Sequence, residues 1–179
     1  LASFNKSDLR KRIVVSSMNY KVHNKYILLA SSLYSVFVVI LYSLLSFIVF
    51  GNLAFSERGL IYILNTFVFS FTALCMALLI STLVKSKEAI SGIVNVVSLS
   101  QAFLCGAFIP VMWLPDSVIK MAHIFPAYWY INTNDLLTEI EVLSFSNLKP
   151  VWINMVILII FGIIFIILNN IVSRRKLVS

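Results

Sequence analysis

Read as apolar and polar positions, the chain alternates four long hydrophobic runs with short polar joints. The runs fall at about 27–50, 60–84, 89–110 and 151–173. Each approaches or exceeds the ~20 apolar residues that a helix needs to cross a bilayer. A transmembrane barrel would show short segments of period two instead, and "VWINMVILIIFGIIFIIL" does not alternate. The pattern predicts an all-α, polytopic membrane protein with four transmembrane helices. Before them, residues 1–26 are basic and mixed; between the last two, residues 111–150 form a long polar-aromatic segment. The whole of 1–179 is expected to form a single transmembrane domain.

The joints set the neighbours. "GNLAFSERG", with Gly at both ends, links the first two runs, and little more than "KSKE" links the next two. Connections this short force antiparallel packing.

Composition agrees with the pattern. Hydrophobic residues make up 60% of the chain and charged residues 12%, about half the charge of a soluble surface. The net charge of +7 would suit nucleic acid, but its placement suits a membrane. Lys6, Arg10, Lys11, Arg12, Lys21, Lys25, Lys85, Lys87, Arg174, Arg175 and Lys176 fall on one side of the predicted topology. Only Arg58, Lys120 and Lys149 fall on the other. The positive-inside rule then puts both ends of this chain in the cytoplasm, as expected of a multi-pass protein of the cell membrane.

Residues 5–26 hold Leu9, Ile13 and Val14 at helical spacing with Arg10, Lys11 and Arg12 elsewhere on the wheel, and Ser7 or Asp8 suits an N-cap. This predicts an amphipathic helix, either lying in the inner interface or docking a cytoplasmic partner. The predicted spans contain no charged residue. Carriers coupled to ions or protons usually hold an ionisable group at mid-membrane, so this absence weighs against a secondary transporter or channel, which stands as the alternative. Span two carries Asn65, Thr66, Ser70 and Thr72. In span three Ser91, Asn95, Ser98 and Gln101 make one stripe, suited to hydrogen bonding between helices or to lining a path. Ser98, Ala102 and Gly106 add a row that permits close helix approach.

Catalytic and cofactor chemistry find little footing. There is no phosphate-binding Gly-Lys loop, and His23 and His123 are expected on opposite sides of the membrane, unable to share a metal. Glu139 and Glu141 lie on different faces of a helix. A lipid-modifying enzyme would have only these outer acids and His123 to work with. Cys75 and Cys105 are expected at different depths, too far apart for a disulfide.

Three of the four prolines, Pro110, Pro115 and Pro126, crowd into "CGAFIPVMWLPDSVIKMAHIFPAYW". Pro110 is expected to end span three near the outer surface. Pro115 is expected to start a short helix with Val118, Ile119, Ala122 and Phe125 on its apolar side, and Pro126 to close it. A short outer helix, interfacial or re-entrant, follows, serving as a gate or as a structural cap.

These residues resemble the ABC-2 type transporter permeases. Gly106, Phe108, Pro110, Leu114, Pro115, Pro126 and Tyr128 stand at positions similar to that family's proline motif, and the order of elements is similar as well. Lys11, Arg12 and Ser16 resemble the family's coupling segment, with Ser17 where a proline is common. The resemblance implies the membrane subunit of an ATP-binding cassette exporter, with no catalytic residues and no cofactor bound by this chain. ATP and Mg would sit on a partner ATPase, docked through Arg10, Lys11, Arg12 and Ser16. It implies a second permease chain, homo- or heterodimeric, and an outer gate of Gly106, Phe108, Pro110, Pro115, Pro126 and Tyr128. Asn95, Ser98 and Gln101 would line the path. Spans without charge suit an amphiphilic or lipid-linked cargo. Family members usually have six spans, so two are expected upstream of the Leu1 start.

Overall fold

The computed structural model describes residues 20–84 and 86–178. Six α-helices and two short 3₁₀ helices occur among the described residues, with no strand among them. Helix α1 is Tyr20–Phe50, α2 Glu57–Leu83, α3 Lys87–Leu104, α4 Asp116–Ala122, α5 Pro126–Glu139 and α6 Lys149–Val178. The 3₁₀ turns are Gly51–Phe55 and Val111–Trp113. Three stretches, Leu29–Phe55, Glu57–Leu83 and Lys149–Ser173, are long and apolar enough to cross a membrane. The amphipathic segment expected over residues 1–26 lies largely outside the described residues, and so do Arg10, Lys11, Arg12 and Ser16.

Local chemistry fixes the helix starts. The Ser56 hydroxyl accepts from the Gly59 N–H at 3.1 Å, and Ser86 accepts from the Ala89 N–H at 3.0 Å. Glu57 and Glu88 then occupy the first turns of α2 and α3, where a carboxylate opposes the helix dipole. Both glycines of the first joint have a steric reason. Gly51 adopts φ +58°, and a Cβ on Gly59 would fall 2.3 Å from the Ala54 carbonyl oxygen. The chain reverses there within a few residues, laying α1 back along α2.

Helix α2 is the hub, and three of its polar residues each reach a different neighbour. Ser70 bonds Ser35 of α1 at 2.6 Å. Thr72 donates to the Leu158 carbonyl of α6 at 2.9 Å. Asn65 donates to the Tyr130 carbonyl and the Asn134 side chain of α5, at 3.0 and 2.9 Å. At the penultimate residue of α2, Thr82 donates to Asn169 at 2.6 Å. The pairs Thr72–Leu158 and Thr82–Asn169 advance together, so α2 and α6 run parallel. Gly162 lies on this seam, where a Cβ would meet Thr72 at ordinary contact distance, 3.6 Å. Leu137, Val151 and Met155 form a core at the Glu57 end, packed by Ile61 and Tyr62.

Parallel α2 and α6 require the chain to return from the Leu83 end to the Glu57 end between them. Helix α3 begins this return but does not complete it. The sequence pattern carries span three to residue 110, whereas the helix ends at Leu104, because Gly106 turns the backbone to φ +101°. Leu104 and Cys105 there pack in one cluster with Phe69, which is ~18 Å along α2 from Glu57 at 1.5 Å per residue. Helix α5 carries the chain on from that level, its Tyr130 ring stacked on Phe69 at 4.5 Å and its Leu137 beside Ile61 and Tyr62. The return is divided between two helices, with residues 105–125 as a detour at intermediate depth.

Candidate functional site

The detour and α5 form a helical hairpin whose turn end, the end away from Glu57, is a compact core. Cys105, Ala122, Ala127 and Tyr128 are buried together, with Phe69, Leu104, Val111, Ile119 and Ile131 packed around them. The proline residues have definite places in it. Pro110 precedes the 3₁₀ turn Val111–Trp113, and Pro115 stands at the N-cap of α4. Pro126 differs from expectation. It opens α5 at the first helical position rather than closing α4, where its missing N–H costs nothing and its fixed φ suits the helix. Helix α4 instead ends in a turn at His123 and Ile124.

Backbone carbonyls in the turns need partners, and side chains supply several. The His123 Nδ1 lies 2.6 Å from the Ile119 carbonyl, and the Trp129 indole donates to the His123 carbonyl at 3.1 Å. The His123 ring also packs on Tyr128, with centroids 4.1 Å apart. At Gly106 a Cβ would come 2.6 Å from the Val111 side chain, so this glycine is required both by its φ and by the space available. Phe108 and Pro110 are exposed, and Leu114 is half-buried. Of the expected gate residues, Pro126 and Tyr128 belong to the core at the turn end and Gly106 adjoins it. Phe108, Pro110 and Pro115 remain at the surface.

The remaining side of α5 is held by groups that the sequence pattern leaves unmarked. The Tyr62 hydroxyl donates to the Asn134 carbonyl at 3.2 Å and lies 3.0 Å from Thr138. The Arg58 guanidinium bonds the Ile140 carbonyl at the end of α5 and that of Glu141 at 3.3 Å. A cation there also faces the negative end of the α5 dipole. The sequence signal for Arg58 is only its position, a lone cation in the joint opposite an acidic loop. Asp135 and Glu139 are exposed on another face of α5.

The predicted polar stripe of α3 divides. Ser91, Asn95 and Ser98 are exposed, with open space over Gly92 on the same helix. Gln101 is buried, its amide N–H pointing weakly to Met76 sulfur at 3.9 Å and to the Val97 carbonyl at 3.5 Å. Its Oε1 has no partner, nor have Asn65 Oδ1 and Asn154 Nδ2. Cys75 and Cys105 are buried free thiols. Among the described residues no group of three or more His, Cys, Asp or Glu side chains gathers to hold a metal ion.

The sequence model of the ABC-2 type transporter family matches residues 1–134. The chain belongs to the ABC-2 type transporter family. No curated protein and no solved structure matches it. The ABC-2 match ends at Asn134, within α5, and so takes in α1 to α4 and the part of α5 that turns the hairpin. The chain is therefore a transport membrane component, an ABC permease whose family normally pairs with an ATPase subunit. Gly106, Phe108, Pro110, Leu114, Pro115, Pro126 and Tyr128 all fall inside the matched region.

Proposed function

We propose that this chain is the permease subunit of an ATP-driven exporter, working as a dimer of permease chains on a cytoplasmic ATPase. The observation that carries the reading is the coincidence of the family match with a helical hairpin set between α3 and α6. In this reading α3 and α5 together make the fourth crossing, and the Leu83 end of α2 faces the cytoplasm of a cell-membrane protein, consistent with its basic residues. Residues around Lys6 to Lys25 dock the ATPase through Arg10, Lys11, Arg12 and Ser16. ATP and Mg act on that partner alone.

The exposed row of Ser91, Asn95 and Ser98 supports a protein or cargo surface rather than a lipid one, since polar groups facing hydrocarbon are costly. Two such rows across a dimer axis would line a path for an amphiphilic or lipid-linked cargo, with Gln101 at its deep end. The α4–α5 hairpin would gate that path, Phe108 and Pro110 at its surface. Hydrolysis on the partner rocks the spans against the hairpin.

Copurification and coupling test this. The permease should bring down a stoichiometric ATPase whose turnover rises with cargo. An Arg12→Glu variant should assemble normally while losing most of the cargo-stimulated turnover, because it reverses the charge at the docking contact. Wild-type coupling in that variant would remove the docking role, and transport by the chain without any ATPase would remove the reading as a whole.

A further inference from the structure

Helix α6 has two different faces at the Lys149 end. Val151, Asn154, Met155 and Leu158 are buried against the rest of the molecule. On the opposite face, a cavity of about 350 Å³ is lined by Phe145, Lys149, Trp152, Ile153, Val156 and Ile157. The five α6 positions fall at i, i+3, i+4, i+7 and i+8, which places them on one face of the helix. From Lys149 to Ile157 the line runs ~12 Å at the helical rise. The membrane-spanning stretch begins at Lys149, so the cavity starts at headgroup level and descends into hydrocarbon. Every lining residue except Lys149 is apolar. Phe145 is 87% exposed, and Ile153 and Val156 are about half exposed, which leaves the groove open toward the bilayer.

We propose that this groove is a binding site for one phospholipid. An acyl chain lies along Ile153, Val156 and Ile157 beneath the Phe145 and Trp152 side chains, and the lipid phosphate pairs with the Lys149 ammonium. Charge selects this occupant. A second protein chain over the groove would take Lys149 out of water, a penalty that requires a carboxylate in return. A phosphate at headgroup level meets the ammonium where water still reaches both, and lysine favours that position because its stem can lie on apolar surface with the charge at the interface. Tryptophan is favoured at the same level. The site does not depend on the transport reading, since it lies on α6 away from the hairpin core.

The test uses the full chain purified in mild detergent, with dioleoyl phosphatidylglycerol and dioleoylglycerol as probes. Native mass spectrometry should find phosphatidylglycerol retained, and its addition should raise the thermal midpoint. Dioleoylglycerol, which lacks the phosphate, should do neither. Lys149→Gln should weaken retention by about tenfold, the loss expected of one charge-assisted hydrogen bond. Ile153→Trp, which fills the groove, should do likewise, whereas Ile159→Trp, on the exposed surface outside the groove, should bind as the wild type does. If Ile153→Trp does not fold, Lys149→Gln against Ile159→Trp decides. Unchanged retention in Lys149→Gln, or equal binding of dioleoylglycerol, would overturn the site. So would loss of self-association in Lys149→Gln with lipid retention intact, because the groove would then belong to a second copy.

Discussion

At the scale of single residues, Gly106 bears the strongest constraint. Its φ of +101° is open to glycine and strained for other residues, and a Cβ would also collide with Val111. Gly106→Ala should destabilise the protein by about 1–3 kcal/mol, the usual cost of a strained backbone position, read as a fall in denaturation midpoint in detergent. A midpoint equal to wild type would mean that the turn after α3 relaxes without penalty.

At the scale of elements, the long helices were legible because length and hydropathy alone define them. α1, α2 and α6 lie where the apolar runs predict, and the caps Ser56 and Ser86 open α2 and α3 beside the expected joints. The hairpin was legible only in outline. Prolines mark breaks, but their pattern does not say whether the next residue ends or begins a helix. Pro126 opens α5 for a reason that lies in three dimensions: Ala127, Tyr128 and Thr133 find buried places against neighbouring helices. Depth was equally hidden. The apolar run continues through Phe108 and Ile109, so periodicity extends span three, while the backbone turns at Gly106. The anchors of α5 come from residues far away in sequence, Arg58, Tyr62 and Asn65. Arg58 holds the end that leads into the 140–148 loop. Arg58→Gln should leave α2 and α6 intact while speeding amide hydrogen exchange at the end of α5 and in that loop, because the lost guanidinium frees the Ile140 and Glu141 carbonyls. Exchange unchanged there, or raised equally in α2, would assign Arg58 another role.

At the scale of the whole molecule, α2 gathers α1, α5 and α6 through polar contacts, several of them to α5, while α3 stands more apart with its serine and asparagine face uncovered. This imbalance suits a membrane component whose parts must shift. Packing between helices in lipid rests on close contact and modest hydrogen bonds, about 0.6 kcal/mol each on average. Few such bonds hold α3, and many more hold the α2–α5–α6 unit. The family membership fixes the class of the machine, whereas the direction of cargo and the identity of the ATPase rest on the proposal.

The divided return between α3 and α5 also bears on how the protein is made. Synthesis delivers α3 to the insertion machinery before α5 and α6 exist. The helix carries Asn95, Gln101, three serines and a charged first turn within 18 residues, a composition that partitions poorly into lipid by itself. We infer that α3 settles into the bilayer only after the downstream helices emerge and give its polar groups company. A topology reporter fused after Gly106 should then be found on both sides of the membrane, whereas one placed at residues 145–147 of the full chain should be found on one side. A single-sided result at both positions would show that α3 inserts alone. Biogenesis of such a chain is a late commitment, decided by the helices that follow α3.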